Sequence, residues 1–215
     1  MTAIILAGGK SSRMGFDKAF IEIEGVPLIK RQLRLLGRVF KRVIIVTNSP
    51  RKYRLRTVKV IQDIIPGQGP LGGIYAGLIA SSSFYNFVAA CDMPFLNEAL
   101  IRHMIKERDS FDVVVPRLKK GYESLFAIYS KNCIMPIHKT IASKNLRIRD
   151  FFKKVKVKEI KEAEVRRFGK PDILFMNINT PLENGDASIF SVINLEKKIE
   201  ASPFSWKRPH FITDD

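Results

Sequence analysis

TAIILAGGKSSRMGFDK, residues 2–18, joins a short apolar run to a glycine-rich, basic loop. A run of this kind that stops at two consecutive glycines is typical of a buried β-strand ending in a tight loop. Gly8 and Gly9 tolerate positive φ, and they let backbone N–H groups approach a ligand with no Cβ in the way. The run Thr2–Leu6 is therefore predicted to be the first strand, followed by a loop suited to ligand contact.

The same loop carries two cations, Arg13 and Lys18. Successive backbone amides combined with cationic side chains form a cradle for phosphate groups. The spacing matches neither the Walker A pattern GxxxxGK[ST] nor the dinucleotide pattern GxGxxG. From these residues alone two interpretations stay open, a nucleotide phosphate site and an ordinary glycine turn.

Strand and helix patterns alternate along the rest of the chain. The first half predicts a helix over Pro27–Phe40, strands over Arg42–Thr47, Val58–Ile61 and Phe87–Cys91, and a glycine-rich turn over Gly67–Gly73 that leads into another helix. The second half predicts a helix over Ala99–Glu107 and strands over Asp112–Val115, Ser124–Tyr129 and Met176–Asn179. This alternation predicts an α/β fold, with a mainly parallel central sheet covered by helices on both faces. Such sheets bind ligands at the carboxyl ends of their strands.

The chain is strongly basic. Its 215 residues include 37 Lys and Arg against 21 Asp and Glu, so the formal net charge is +16. The length favours one domain or one domain with an appendage, and the 46% hydrophobic content excludes a disordered chain. The charge favours an anionic partner: nucleic acid, a membrane surface or small phosphates such as nucleotides. Part of the excess lies in Lys139–Lys170, with 12 basic and 4 acidic residues, which is either a positive funnel for a polyanionic substrate or solvated surface.

Cysteine usage and hydropathy bear on location. Two cysteines, Cys91 and Cys133, are too few for a disulfide framework, and we expect both to be buried apolar residues in a reducing compartment. No apolar run reaches the roughly 20 residues that span a bilayer. The amino terminus places its apolar run before its basic residues, which is the wrong order for a signal peptide. A cytoplasmic protein without membrane contact is therefore expected.

Asp92 follows directly after the apolar strand pattern FVAAC. A carboxylate is costly to bury unless it is paired or bound to a metal ion. A turn or cap role is the alternative, but a phosphate loop on a neighbouring strand favours a magnesium ligand, since Mg²⁺ takes one or two carboxylates beside nucleotide phosphates. Asp63 follows the strand pattern VKVIQ, and from the residues alone it is interpreted as a surface turn residue before Pro66.

The strong motifs contain no Ser/His/Asp or Cys/His arrangement for nucleophilic catalysis. A phosphate monoester has a second pKa near 6, so at neutral pH it is already a nucleophile. An acceptor of that kind needs no general base. Catalysis then consists of positioning the reactants and neutralising charge.

The complete loop resembles the pattern LAGGxSxRMGxDK of nucleotidyltransferases with a Rossmann-like fold, specifically the molybdenum cofactor guanylyltransferases. Four further stretches resemble motifs of that family in the same order: GPLGGI at 69–74, CDMPF at 91–95, ESLFAIY at 123–129 and NINTP at 177–181. The resemblance covers about residues 2–183. It departs at Leu182, where the family usually has glutamate, and in the basic tail.

This resemblance implies transfer of GMP from Mg²⁺-GTP to molybdenum-molybdopterin, with release of pyrophosphate. Implied nucleotide contacts are the loop residues Leu6, Ala7, Gly8, Gly9, Arg13 and Lys18, together with Asp63 and Asp92. Arg13, Lys18 and Asp92 are the implied catalytic residues, with Asp92 as the metal ligand. Glu123, Asn177 and Asn179 are the candidate acceptor contacts, and a strand over Met176–Asn179 would turn both asparagines to one side.

We expect one domain over residues 1–190, with a nucleotide-binding half at 1–110, an acceptor-binding half at 111–190 and a C-terminal extension at 191–215. Other proteins of molybdenum cofactor biosynthesis, or the enzyme that accepts the cofactor, are possible partners. Two other functions remain open. One is transfer of cytidylyl or another nucleotidyl group to a different small phosphate, which Gly9 disfavours. The other is a nucleic-acid-binding module, although Phe151, Phe152 and Phe168 do not alternate with the charges as in a stacking platform.

Overall fold

A computed structural model describes residues 1–8, 17–53, 55, 58–65 and 67–178. Its strands are β1 (Thr2–Leu6), β2 (Glu22–Ile23), β3 (Val26–Pro27), β4 (Arg42–Val46), β5 (Lys59–Ile61), β6 (Tyr85–Ala90), β7 (Val113–Leu118), β8 (Gly121–Tyr122), β9 (Phe126–Ser130) and β10 (Val157–Lys161). Its α-helices are α1 (Leu28–Val39), α2 (Gly69–Ala80), α3 (Glu98–Lys106), α4 (Ile134–Ala142), α5 (Ile148–Phe152), α6 (Glu162–Val165) and α7 (Pro171–Leu174). Short 3₁₀ turns occupy Lys18–Phe20, Pro50–Lys52 and Lys131–Cys133.

The central sheet has the strand order β10-β7-β9-β6-β1-β4-β5, and β8 extends it as a hairpin partner of β7. β9 runs antiparallel to both β6 and β7, whereas β1, β4, β5, β6, β7 and β10 run in one direction. Helices α1, α2 and α3 connect β1 to β4, β5 to β6 and β6 to β7, whereas the 3₁₀ turn Pro50–Lys52 lies between β4 and β5. The predicted mainly parallel α/β sheet is confirmed, with one antiparallel strand inside it.

Helices cover both faces of this sheet. Along β1, Ala3 and Ile5 pack with α1 and α3, while Ile4 packs with α2 and α4 on the other face. Ala3, Ile4 and Ile5 are each fully buried, as expected for a strand between two layers of helices. The three-layer sandwich that the sequence predicts is therefore confirmed, and β1 lies in its interior.

The predicted turn over Gly67–Gly73 is partly wrong, because α2 already begins at Gly69. Gly67 and Gly69, with φ of +84° and +59°, do turn the chain, whereas Gly73 and Gly77 bring the helix close to β1. A Cβ built on Gly77 would lie 2.6 Å from Cγ2 of Ile4, and one built on Gly73 would lie 3.2 Å from Cδ2 of Leu6. A cluster of glycines predicts a turn equally well from sequence, and only the packing against β1 separates the two interpretations.

The predicted late strand is also wrong within the described residues, since residues 176–178 form no strand. This segment nevertheless returns to the carboxyl edge of the sheet, where the N–H of Ile178 donates to the carbonyl oxygen of Asp92 at 2.9 Å. Ile178 is buried and packs with Ile23 and Leu28. Within the described residues, one hydrogen bond and this apolar contact join the segment to the sheet edge, no ladder forms there, and the argument that Asn177 and Asn179 share a strand face fails.

Two further expectations concern membrane spans and cysteines. Within the described ranges, no helix is long and apolar enough to cross a membrane. Cys91 and Cys133 are both buried and free of disulfide bonds, as predicted.

Candidate active site

The candidate site lies where β1 and β6 end side by side. Leu6 pairs with Ala90 in the parallel register, so both strands end at the same edge of the sheet. The N–H of Cys91 donates to the carbonyl oxygen of Leu6 at 3.0 Å, which extends the contact one residue beyond β6. The residues that directly follow β1 and β6, Ala7 and Cys91, thereby lie at one edge of the sheet, as the sequence predicts for neighbouring strands.

Lys18 and Asp92 form an ion pair at this edge. Nζ of Lys18 lies 3.5 Å from Oδ2 of Asp92, and their side chains are 18% and 23% exposed. Both groups are therefore largely screened from bulk water but still reachable by a ligand. Two residues separated by most of the first half of the chain share one site, and each can be offered to a nucleotide phosphate or a metal ion.

Asp17 orients the segment that carries Lys18. Its carboxylate accepts a hydrogen bond from the N–H of Ala19 at 3.1 Å and so caps the 3₁₀ turn. Oδ2 of the same carboxylate accepts a hydrogen bond from the Tyr53 hydroxyl at 2.8 Å. The Tyr53 ring also contacts that of Phe20 at a centroid distance of 5.0 Å. Tyr53 thus contacts a residue on each side of Lys18 in the chain, Asp17 through its hydroxyl and Phe20 through its ring.

Tyr53 is 5% exposed, and its pKa is raised far above its ordinary value by burial and then by the Asp17 charge. The hydroxyl therefore stays protonated and remains a donor to Asp17 across the physiological pH range. Sequence reasoning missed Tyr53 as a functional residue. It lies in no motif, and only the path of the chain after β4 brings it to Asp17.

The start of the glycine loop borders β4. Leu6 and Ala7 are buried, and the N–H of Ala7 donates to the carbonyl oxygen of Val46 at 2.8 Å, so that amide serves the sheet. Gly8 is exposed, and a Cβ built on it would lie 3.7 Å from the backbone nitrogen of Asn48. Of residues 6–8, Gly8 is therefore the one exposed at this edge. Gly9 and Arg13, two predicted contacts, lie outside the described residues.

Asp63 lies two strands away, at the end of β5. Its Oδ1 accepts the N–H of Ile65 at 3.1 Å, and burial raises the pKa of its carboxyl group. A Cβ built on Gly72 would lie 3.1 Å from Oδ2 of Asp63, so this carboxylate rests against the first turn of α2. Among the described residues, the structure pairs Asp92 with Lys18 and gives Asp63 no ion pair.

Two predicted acceptor contacts fall within the described residues. Glu123 lies between β8 and β9, its side chain is 17% exposed, and it forms an ion pair with Lys120 at 3.2 Å. The neighbouring residue Leu125 accepts the N–H of Ala90 at 3.0 Å, so this loop borders the end of β6. Asn177 is exposed beside the Asp92 carbonyl contact of Ile178, and Asn179 lies outside the described residues.

The donor chemistry at Asp92 fits a hard divalent cation. In the part of the chain that the structure describes, no three His, Cys, Asp or Glu side chains converge on one point. A partly exposed single carboxylate is the donor set expected for Mg²⁺ bound together with substrate phosphates and water rather than in a protein cage. Zinc would require several nitrogen or sulfur ligands, which this edge does not offer within the described residues.

Comparisons with known proteins identify chains and structures that are similar to this one. The family model for the MobA-like NTP transferase domain matches residues 3–160. The probable molybdenum cofactor guanylyltransferase of Peptoclostridium acidaminophilum is 40% identical over 186 residues, which are 83% of this chain and 84% of that protein. The molybdenum cofactor guanylyltransferase of Desulfosudis oleivorans is 37% identical over 193 residues, covering 88% and 96%.

Solved structures show the same fold. Molybdopterin-guanine dinucleotide biosynthesis protein A from Archaeoglobus fulgidus superposes with a TM-score of 0.74 at 25% identity, covering 92% of this chain and all of that one. The 4-diphosphocytidyl-2C-methyl-D-erythritol synthase of Anaerococcus prevotii reaches 0.65 at 15% identity, which shows a shared fold alone. Enzymes of the NTP transferase class generally use a divalent metal ion. The chain therefore belongs to the MobA-like NTP transferases and, within them, to the molybdenum cofactor guanylyltransferases.

Proposed function

We propose that the edge formed by the ends of β1 and β6 carries out the guanylyl transfer of this family. GMP passes from GTP to molybdenum-molybdopterin, and the products are molybdopterin guanine dinucleotide and pyrophosphate. The Lys18–Asp92 pair carries this proposal, because it brings a cation and an oxygen ligand together beside a glycine loop. Those are the two groups that a nucleoside triphosphate with a divalent metal requires.

In the ligand-free chain, Lys18 and Asp92 compensate each other's charge. When the nucleotide binds, we propose that the Asp92 carboxylate takes Mg²⁺ and that the Lys18 ammonium turns to the phosphates. Mg²⁺ held there neutralises phosphate charge during transfer. Arg13 would add a second cation from the loop. Lys18 and Asp92 are thus paired with each other without nucleotide, and with the phosphates and the metal ion when nucleotide is bound. Neither charge is left without an opposite charge in either state.

The terminal phosphate of the acceptor attacks the α-phosphorus of GTP. The new bond joins an acceptor oxygen to that phosphorus, and the bond to the β-phosphate oxygen breaks as pyrophosphate leaves. Since the acceptor phosphate is already largely dianionic at neutral pH, this chain supplies orientation rather than a base. Residues 111–190, with Glu123, Asn177 and Asn179, would orient the acceptor, and residues 1–110 the nucleotide.

Two buried free cysteines are in keeping with a reducing compartment, so we propose that the reaction takes place in the cytoplasm. The enzyme that receives the finished cofactor, or another protein of its biosynthesis, is the proposed protein partner.

The test of the site is a pair of substitutions, Asp92→Asn and Lys18→Met, with Lys41→Met as the control. Lys41 is exposed and directly precedes the start of β4, at the edge of the sheet opposite Asp92, so its loss removes an equal charge away from the site. Loss of transition-state charge stabilisation costs roughly 100-fold or more in rate. We expect that loss in both site variants and parental GMP transfer in the control. Parental transfer in Asp92→Asn or Lys18→Met would contradict the assigned roles.

Base selectivity is tested separately by thermal unfolding with GTP, CTP, ATP or UTP and Mg²⁺. A ligand present at 100 times its dissociation constant stabilises the native state by about 2.7 kcal/mol. GTP is expected to raise the unfolding temperature most. A larger shift with CTP would favour cytidylyl transfer instead.

A further inference from the structure

Gln32 reaches from α1 to the segment that carries Asp92. The residue is 2% exposed, and its Nε2 donates to the carbonyl oxygens of Ala90 and Met93, each at 2.9 Å. Because both partners are carbonyl acceptors, the amide nitrogen and not the amide oxygen must point toward them. A buried side chain thus clamps two backbone groups that lie on either side of Asp92.

This clamp closes a turn that is also held by the backbone. The N–H of Cys91 donates to the Leu6 carbonyl oxygen at 3.0 Å, and the Asp92 carbonyl oxygen accepts the N–H of Ile178 at 2.9 Å. Those two bonds fix the turn to β1 and to the returning segment. The Gln32 bonds fix Ala90 and Met93, on either side of the turn, to α1. Because a side chain makes these bonds, a substitution can remove them without changing the backbone.

The oxygen of the Gln32 amide, unlike the nitrogen, is not accounted for by hydrogen bonds. Its Oε1 is buried and makes no hydrogen bond within the described residues. A buried acceptor without a partner is unfavourable, and this loss offsets part of what the two Nε2 bonds contribute to stability. The geometry of the turn, rather than the stability of the fold, is what this amide serves best.

We propose that Gln32 is a positioning residue for the Asp92 carboxylate, and that binding of a divalent metal with GTP depends on it. The inference rests on the metal-binding role proposed above for Asp92. Mg²⁺ demands near-ideal octahedral geometry, so a small displacement of its protein ligand weakens binding. Without the Gln32 bonds to Ala90 and Met93, the turn shifts and displaces the Asp92 carboxylate, although the aspartate side chain itself is retained.

The test uses Gln32→Met, which keeps length and volume but removes the donor, and Leu36→Met as the matched control. Leu36 is fully buried on the same helix and packs in the core on that face. The dissociation constant of GTP is measured without acceptor, once with Mn²⁺ as the probe ion and once in EDTA. The ratio of the two constants is the gain in affinity that the metal supplies.

We expect Gln32→Met to reduce that ratio at least fivefold and to leave the affinity for GTP in EDTA near the parental value. Leu36→Met should keep the parental ratio. In turnover assays, the metal concentration for half-maximal rate should rise in Gln32→Met, with a smaller change in kcat at saturating metal. Should Gln32→Met fail to fold, Gln32→Asn retains an amide that is one methylene too short to reach both carbonyls and should lower the ratio as well.

A parental ratio in a folded Gln32 variant would overturn the positioning role. Asp92→Asn, measured in the same way, separates this failure from a failure of the proposed site. If Asp92→Asn abolishes the gain from metal and Gln32→Met does not, only the role of Gln32 is overturned. If Asp92→Asn itself retains the gain, the proposed metal role of Asp92 is overturned, and the role of Gln32 with it.

Discussion

Lys18 and Asp92, the pair proposed to meet the substrate, depend on neighbouring residues for their placement. Each is a common residue type, and a single partly exposed ion pair contributes little to stability. Their value lies in their placement, 3.5 Å apart at the edge of the sheet. Neighbours hold each one: Asp17 and Tyr53 beside Lys18, and Gln32 beside Asp92.

Tyr53→Phe tests the support of Lys18. The substitution keeps the ring that contacts Phe20 and removes the hydroxyl that donates to Asp17. Loss of a hydrogen bond to a charged group lowers the free energy of unfolding by about 1.5–3 kcal/mol. We also expect GTP to bind several-fold more weakly, because the capped turn that carries Lys18 loses one of its restraints.

Urea unfolding and calorimetric GTP titration measure the two effects. Tyr85→Phe is the control, since Tyr85 lies at the start of β6, at the opposite edge of the sheet. The control should match the parent in GTP affinity. Equal weakening in both variants would mean that the Asp17 contact has no part in nucleotide binding.

Among the helices, α2 packs most closely against β1, the strand that leads into the site. Gly73 and Gly77 face Leu6 and Ile4 of β1, and no side chain fits between them. The helix therefore depends on glycine for packing, although glycine weakens a helix by roughly 0.5–1 kcal/mol relative to alanine. Close contact with β1 outweighs this intrinsic weakness.

Gly77→Ala and Gly37→Ala should have opposite effects on stability. A Cβ at Gly77 would lie 2.6 Å from Ile4, and overpacking of this kind destabilises by about 1–3 kcal/mol. At Gly37, in α1, the space around the new Cβ is open within 4 Å, so the better helix propensity of alanine should stabilise by roughly 0.5–1 kcal/mol. Urea unfolding of both variants is the measurement. A stabilised Gly77→Ala would show that β1 and α2 are not packed as described.

For the molecule as a whole, the direction of the strands separates the basic residues into two groups. Lys153, Lys154 and Lys156 come before β10, whose start lies at the edge opposite Asp92, because β10 is parallel to β7. Lys119 and Lys161 lie at the carboxyl ends of β7 and β10, on the same edge as the site. Of these two groups, only the second lies at the edge where it could attract an anionic substrate to the proposed site.

Charge neutralisation distinguishes the two groups. Lys119→Gln combined with Lys161→Gln should raise the KM for the acceptor at low salt, and the difference should vanish at high salt as charges are screened. Lys153→Gln, Lys154→Gln and Lys156→Gln together should leave the acceptor KM at the parental value. Steady-state kinetics between 50 mM and 500 mM salt, about the range over which screening becomes strong, measures both. An equal effect of both sets would identify the basic charge as unspecific surface.

Local pattern alone established the parts of this protein that contiguous residues encode. The run before Gly8, the alternation of strands and helices, and Asp92 at a strand end predicted a nucleotide site at the carboxyl edge of a parallel sheet. The inferences about strands, helices and the sheet are confirmed because periodicity and glycine act over a few neighbouring residues, and the nucleotide site stays a prediction. The resemblance to a known family then supplied guanine, the molybdopterin substrate and magnesium.

The tertiary structure alone decided the rest. Gln32 contacts carbonyls 58 and 61 positions along the chain, and Tyr53 contacts a carboxylate 36 positions away. The glycines of α2 predicted a turn, but in the structure Gly73 and Gly77 contact β1. The segment ending at Ile178 predicted a strand, but in the structure one hydrogen bond joins it to Asp92. Each of these depends on which strands become neighbours and in which direction they run. Because that pairing joins residues far apart in the chain, no local pattern contains it.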